Sequence, residues 1–298
     1  MSDNPPAGDL PILRDHRRQW RQCRYVYPVV ARRSKGLSIG VNLNPDKRCT
    51  FACAYCQVDR RTRRELHSLD LHTLRTELLE VLDEAASGRI WNDPRFAATP
   101  APLRRINDVA FSGDGEPTIV PQFDQAVAIG ADVLRQAVAP EVKLVVITNA
   151  TQFDQPQVQR ALPVLDGCNS EIWAKLDAGT EEYFFRVNHP YPRIGLEHIL
   201  RGIAAIAKGR QIVIQSLFCR LGGVPTPEKE ILAYCDHIAA ILKSGGGIKL
   251  IQVHTVAREP PSPEVKPLGN AELDTIARHI RSLLPVPVET YYGATGTG

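Results

Sequence analysis

Three cysteines stand close together in the stretch NPDKRCTFACAYCQ at 44–57: Cys49, Cys53 and Cys56, spaced C-x3-C-x2-C. Thiolates are soft ligands that select iron–sulfur clusters or zinc. A structural zinc site takes four ligands, usually as two spaced pairs. An electron-transfer ferredoxin supplies four cysteines. No fourth Cys or His lies nearby; His67 is the nearest His downstream. Three thiolates on one loop can reach three irons of a cubane and leave the fourth iron without a protein ligand. An open metal position is what a site needs to bind and activate a small molecule. A zinc site, or three cysteines with no metal, stays open as a reading at this point. Lys47 and Arg48 place positive charge beside Cys49, which favours an anionic group there. The other cysteines, Cys23, Cys168, Cys219 and Cys235, are scattered, and the odd total of 7 argues against a disulfide framework.

A second string, FSGDGEPT at 111–118, follows a strand-like run. Its glycines let a backbone approach a ligand closely. Alone it is also an ordinary Gly-rich turn. Taken with the cysteine loop, and with Tyr55 just before the third cysteine, it resembles the signature of the radical S-adenosylmethionine (SAM) superfamily. The resemblance spans roughly 37–290 and implies two cofactors. A [4Fe–4S] cluster would be held by Cys49, Cys53 and Cys56. SAM would meet Gly113, Asp114, Gly115 and Glu116 at its amino end. Strand-end residues Asn149, Lys175 and Asp177 fall where the family contacts SAM. Gln215, Ser216, His254 and Arg258 occupy similar rim positions, each as readily structural.

The implied chemistry is reductive cleavage of SAM to a 5′-deoxyadenosyl radical that takes hydrogen from a substrate. A flavodoxin-like or ferredoxin-like partner would supply the electron. The Asn-Leu-Asn-Pro approach, the Gly-Asp-Gly-Glu-Pro-Thr string and Thr-Val-Ala-Arg at 255–258 look most like the group allied to the wyosine tRNA synthases. Archaeal members carry further cysteines upstream for a second cluster, whereas only Cys23 precedes the motif here. RNA is one candidate substrate. A small molecule, a peptide or a glycyl-radical partner is the alternative. A zinc- or cluster-binding scaffold is the non-enzyme reading.

The elements around these strings alternate. Short apolar runs rich in β-branched residues at 37–43, 106–111, 142–148, 172–176, 211–218 and 248–254 predict strands buried on both faces. Helical periodicity follows each one. Asp70 is the expected N-cap of the clearest helix, with Leu71, Leu74, Leu78, Leu82 and Ala85 on one stripe and Gly88 at its end. Further helices are predicted at 121–136, 156–165, 194–208, 227–243 and 271–284, and additional strands at 25–31 and 286–291. Six strand–helix units imply a parallel sheet, so the expected fold is α/β, a partial (β/α)6 TIM-like barrel. A flat doubly wound sheet is the competing architecture. The expected organisation is an irregular basic segment at 1–36, the barrel at 37–292 and a flexible tail at 293–298.

The charge is uneven along the chain. Residues 1–64 hold 14 Lys/Arg against 5 Asp/Glu, in a chain whose net charge is only +3. That asymmetry motivates an anionic partner such as RNA. The run Arg60, Arg61, Arg63 and Arg64 just past the cluster loop adds to it. The bland alternative is a solvated basic arm. No apolar run is long enough to span a membrane or serve as a signal peptide, so no membrane association and a cytoplasmic location are expected.

Overall fold

The structure is a computed structural model that describes residues 12, 15, 17–60, 68–137, 141–191, 194–257, 260 and 262–293. Arg61, Arg63, Arg64, His67, Arg258 and the tail beyond Gly293 lie outside the described residues. The chain divides into two compact units. One comprises the described residues of Met1–Cys49, Arg60–Ile147 and Asp154–Glu171. The other comprises those of Thr50–Asp59, Thr148–Phe153 and Ile172–Gly298.

The first unit carries β1 (Val26–Ala31), β2 (Gly36–Val41), α1 (Leu71–Ala86), β3 (Ile106–Phe111), α2 (Phe123–Ala137), nearly all of β4 (Lys143–Thr148) and α3 (Pro156–Asp166). β1 pairs antiparallel with β2, and β2, β3 and β4 run parallel in chain order. Ile39, Val41, Val109, Phe111 and Leu144 are fully enclosed, as two-faced burial of a parallel sheet requires.

α1 starts as its sequence specifies. The Asp70 carboxylate accepts from His72 N and Thr73 N at 3.0 and 3.1 Å, and Gly88 follows the helix in the left-handed region at φ 76°. Leu74 and Leu78 are wholly enclosed, each contributing about 1.5–3 kcal/mol. One member of the buried face is a carboxylate. Glu77 accepts from Arg24 N, Tyr25 N and Val26 N at 2.6, 2.8 and 3.1 Å, pinning the start of β1 to α1. Glu77→Ala leaves three backbone donors without an acceptor and should cost about 3 kcal/mol, with Glu77→Gln intermediate. Urea unfolding of the three proteins checks this, and equal midpoints would contradict it.

The second unit carries most of β5 (Ser170–Lys175), α4 (Glu181–Asn188), α5 (Leu196–Ala207), β6 (Gln211–Leu217), β7 (Arg220–Leu221), β8 (Val224–Pro225), α6 (Glu228–Lys243), β9 (Gly247–His254), β10 (Val265–Lys266), α7 (Asn270–Leu283) and β11 (Val288–Tyr291). Strands β5, β6, β9 and β11 run parallel in that order. A small antiparallel sheet, β10-β7-β8, stands apart from them in the pairing.

A doubly wound sheet reverses its strand order at a switch point. In each unit the parallel strands instead follow one another in chain order, each but the last, β11, leading to a helix. The fold class is the expected one, α/β of the partial (β/α)6 TIM-like type. Among the described residues no helix is long and apolar enough to cross a membrane.

Candidate functional site

In the first unit, the approach to Cys49 and the Gly-rich string leave the C-terminal ends of neighbouring parallel strands, β2 and β3. They are laced together. Asn42 Nδ2 donates to Asp114 Oδ2 at 2.8 Å, and Asp114 N donates to Asn42 Oδ1 at 3.2 Å. Glu116 N donates to Arg48 O at 3.0 Å. The Asp114 carboxylate also holds Arg18 Nη1 at 2.6 Å, and Arg60 Nη1 donates to Asp114 O at 3.0 Å.

The glycines are dictated by this contact. A Cβ on Gly113 would meet Asn42 Oδ1 at 2.5 Å, and one on Gly115 would meet Arg48 O at 1.9 Å. The close approach that glycine permits is thus made by the chain's own loop before Cys49. Glu116 is buried, and its Oε1 accepts from Thr118 N at 3.3 Å and Thr118 Oγ1 at 2.5 Å, capping the 3-10 turn Pro117–Ile119. Beside Gly115, the buried amide Asn44 Nδ2 has no hydrogen-bond partner.

In the second unit, Cys53 and Cys56 sit on a loop fastened to α4. A helix ends with carbonyls that lack intrahelical partners. Two carbonyls at the end of α4 are taken by the cysteine loop: Ala54 N donates to Val187 O at 2.8 Å and Ala52 N to His189 O at 3.0 Å. His189 turns the chain there in the left-handed region at φ 40°. Asn149 performs a similar fastening. Its Nδ2 donates to Thr50 Oγ1 at 2.8 Å and its Oδ1 accepts from Thr151 Oγ1 at 2.8 Å.

Around Cys53 lies a buried polar group. Asp177 Oδ1 accepts from Leu217 N at 2.9 Å, and Asp177 Oδ2 accepts from the Tyr55 hydroxyl and from Asn188 Nδ2 at 2.8 Å. Lys175 Nζ lies 3.5 Å from Asp177 Oδ2 and 5.0 Å from the centre of the Tyr55 ring. Asn188 Nδ2 also reaches Cys53 Sγ at 3.6 Å. Burial pushes the Cys53 thiol up to about 11. Burial and the adjacent Asp177 charge raise Tyr55 well above the ordinary phenol range.

With both carboxylate oxygens engaged, Asp177 acts as an anchor. Asp177→Ala strips the acceptor from three buried donors and should cost about 3–5 kcal/mol, Asp177→Asn less. Thermal melting of both variants tests this, and a melting point equal to the parent's would contradict the anchor role.

Of the residues singled out by sequence, Gly113, Asp114, Gly115 and Glu116 come together in the first unit; Lys175 and Asp177 gather about Tyr55 and Cys53 in the second. Gln215 bonds Gln252 at 3.2 Å and Ser216 bonds the Tyr234 hydroxyl at 2.8 Å, both inside the core. Asn188 had no signal in the sequence.

Cys49, Cys53 and Cys56 are half-buried and in no disulfide. Among the described residues no three His, Cys, Asp or Glu side chains are drawn together at ion-holding range. The donor chemistry nonetheless fits an iron–sulfur cluster: three soft ligands on one loop, one of them already receiving an amide N–H.

The basic segment is heavily self-paired. Arg17 and Arg18 bond Asp15 and Asp114 at 2.6 Å, Arg48 bonds Asp46 at 2.6 Å, and Arg21 pairs with Glu84. Arg48 is therefore partly neutralised where it adjoins Cys49.

No family model matches the chain. It is 25% identical over 243 residues to a UPF0026 protein of Methanocaldococcus jannaschii, covering 80% of this chain and 65% of that protein. It is 28% identical over 185 residues to a UPF0026 protein of Helicobacter pylori, covering 61% and 51% respectively. The chain thus spans between half and two thirds of the length of these curated relatives.

Solved structures that share the fold include three that illustrate it. A radical SAM methyltransferase from Sphaerobacter thermophilus matches with TM-score 0.61 at 11% identity, over 90% of this chain and 69% of that one. Streptococcus suis SuiB bound to S-adenosylmethionine matches with TM-score 0.57 at 13% identity, over 87% and 52%. TYW1 with a lysine–pyruvate adduct bound matches with TM-score 0.52 at 16% identity, over 84% and 74%. The chain thus shares its fold with these proteins, a radical SAM methyltransferase and TYW1 among them.

Proposed function

We propose that the chain is a radical SAM enzyme. What carries the reading is the C-x3-C-x2-C loop in a radical SAM fold, directly after a parallel strand and laced to a Gly-Asp-Gly-Glu string. Cys49, Cys53 and Cys56 would hold a [4Fe–4S] cluster, and bound SAM would supply a 5′-deoxyadenosyl radical for hydrogen abstraction.

The residues have separable tasks. Asn42 and Arg48 hold the string at 113–116 against the approach to Cys49. Within that string, Gly113, Asp114, Gly115 and Glu116 would bind the amino end of SAM. Asn149 fastens Thr50, next to Cys49, to the end of β4. Asp177 and Lys175 hold Tyr55 in place within the loop. A one-electron donor of flavodoxin or ferredoxin type would dock as partner. RNA and a small molecule or peptide both suit this chemistry. The pairs of Arg18 with Asp114 and of Arg21 with Glu84 offset only a small part of the basic excess that points to RNA.

The test is anaerobic reconstitution with iron and sulfide, followed by reduction with dithionite in the presence of SAM. Release of 5′-deoxyadenosine supports the reading. A protein that takes zinc instead and leaves SAM intact rules it out.

A further inference from the structure

We propose that Asn188 is a positioning residue that sets the reduction potential of the cluster through a hydrogen bond to Cys53; this rests on the radical SAM reading above. Asn188 is the last residue of α4 and is 1% exposed. The loop and the helix end pair symmetrically about it. Ala52 N and Ala54 N, flanking Cys53, donate to His189 O and Val187 O, which flank Asn188. That register sets the Asn188 side chain opposite the sulfur.

The amide has one allowed orientation. Its Nδ2 lies 2.8 Å from Asp177 Oδ2 and 3.6 Å from Cys53 Sγ, a normal reach for the larger sulfur atom. Its Oδ1 is buried without a partner. Turning the amide over would set Oδ1 against the Asp177 carboxylate and the sulfur, acceptor against acceptor. Asp177 cannot yield, since Leu217 N and the Tyr55 hydroxyl fix it. One N–H is therefore committed to Asp177, and the other faces Cys53 Sγ and, at 3.5 Å, the Tyr55 hydroxyl oxygen, at the cost of an orphaned carbonyl.

An N–H directed at a cluster sulfur draws electron density from it and stabilises the reduced, more negative state. Hydrogen bonds to the sulfurs are among the levers that set cluster potentials. Nothing local in the sequence marks Asn188 for this task, because it lies 135 residues from Cys53.

The test compares the reconstituted parent with Asn188→Leu, which keeps the volume, and Asn188→Ala. Each is titrated with dithionite without SAM, and the reduced cluster is read by EPR. Iron content and thermal melting serve as controls. Variants that load iron normally should show about a tenfold lower reduction equilibrium constant, which is about 59 mV for one electron. An unchanged potential in a fully loaded variant overturns the proposal and leaves the radical SAM reading standing. A parent that forms no cluster overturns both. Should both variants fail to fold, the parent labelled with 15N in its asparagine side chains decides. Pulsed EPR of its reduced cluster should show an amide-nitrogen coupling, and its absence overturns the proposal.

Discussion

Alanine at Cys49, Cys53 or Cys56 should each abolish iron loading, while serine at Cys168 leaves it intact. A [4Fe–4S] site holds roughly four irons per chain. With three protein thiolates, removing any one leaves two, too few to retain a cubane whose fourth corner has no protein ligand. None of the three side chains is in a disulfide. Thermal melting of the iron-free variants should match that of the iron-free parent. Iron and sulfide assays, with the visible absorbance of the cluster, provide the readout. Loading that survives in any one of the three variants would show that another ligand completes the site. Equal zinc in parent and variants would point to adventitious metal instead.

Gly115→Ala should be strongly damaging to both stability and iron loading. Its new Cβ would lie 1.9 Å from Arg48 O and 2.6 Å from Asn44 Cβ. The first obstacle is backbone and cannot rotate away. The Glu116 N to Arg48 O bond must break, and the string at 113–116 must separate from the loop that leads into Cys49. Over-packing of this kind costs about 1–3 kcal/mol when neighbours yield and more when the obstacle is main chain. Iron loading should fall with it, because Arg48 directly precedes Cys49. Gly113→Ala should be milder, since its obstacle is the Asn42 side chain, but it should still loosen Asp114. Circular dichroism melting and iron content measured together test both. A stable, fully loaded Gly115→Ala protein would contradict the close contact.

Most of the fold could be read from local chemistry. β3 at 106–111 and the Asp70 cap of α1 follow from β-branched runs and from a carboxylate placed before an apolar stripe. Two pieces outside those expectations carry local signals of their own. α4 is only 8 residues, but Thr180 accepts from Tyr183 N at 3.2 Å, and Glu181 and Glu182 fill its first turn, a legible helix start. The β7–β8 hairpin turns on Gly222 and Gly223, both with positive φ, and a Gly-Gly pair is a hairpin mark. The site divides in the same way. Cys49, Cys53, Cys56 and Glu116 are legible because their spacing on one loop or turn is itself the signal. Tyr55 with Asp177 and Asn188 with Cys53 meet across 122 and 135 residues, and no local pattern records such meetings. The glycines show a third case. Their residue type was readable, but whether a ligand or the protein itself occupies the space beside Gly115 takes coordinates to decide.

The most direct measurement is the EPR spectrum of the dithionite-reduced, reconstituted protein with and without SAM. An iron left open by three thiolates should bind SAM, so the signal should change shape and g-values on its addition and do so stoichiometrically. A reduced [4Fe–4S] signal that SAM leaves unaltered would mean that a fourth protein ligand closes the cluster, and would contradict an open iron in this chain.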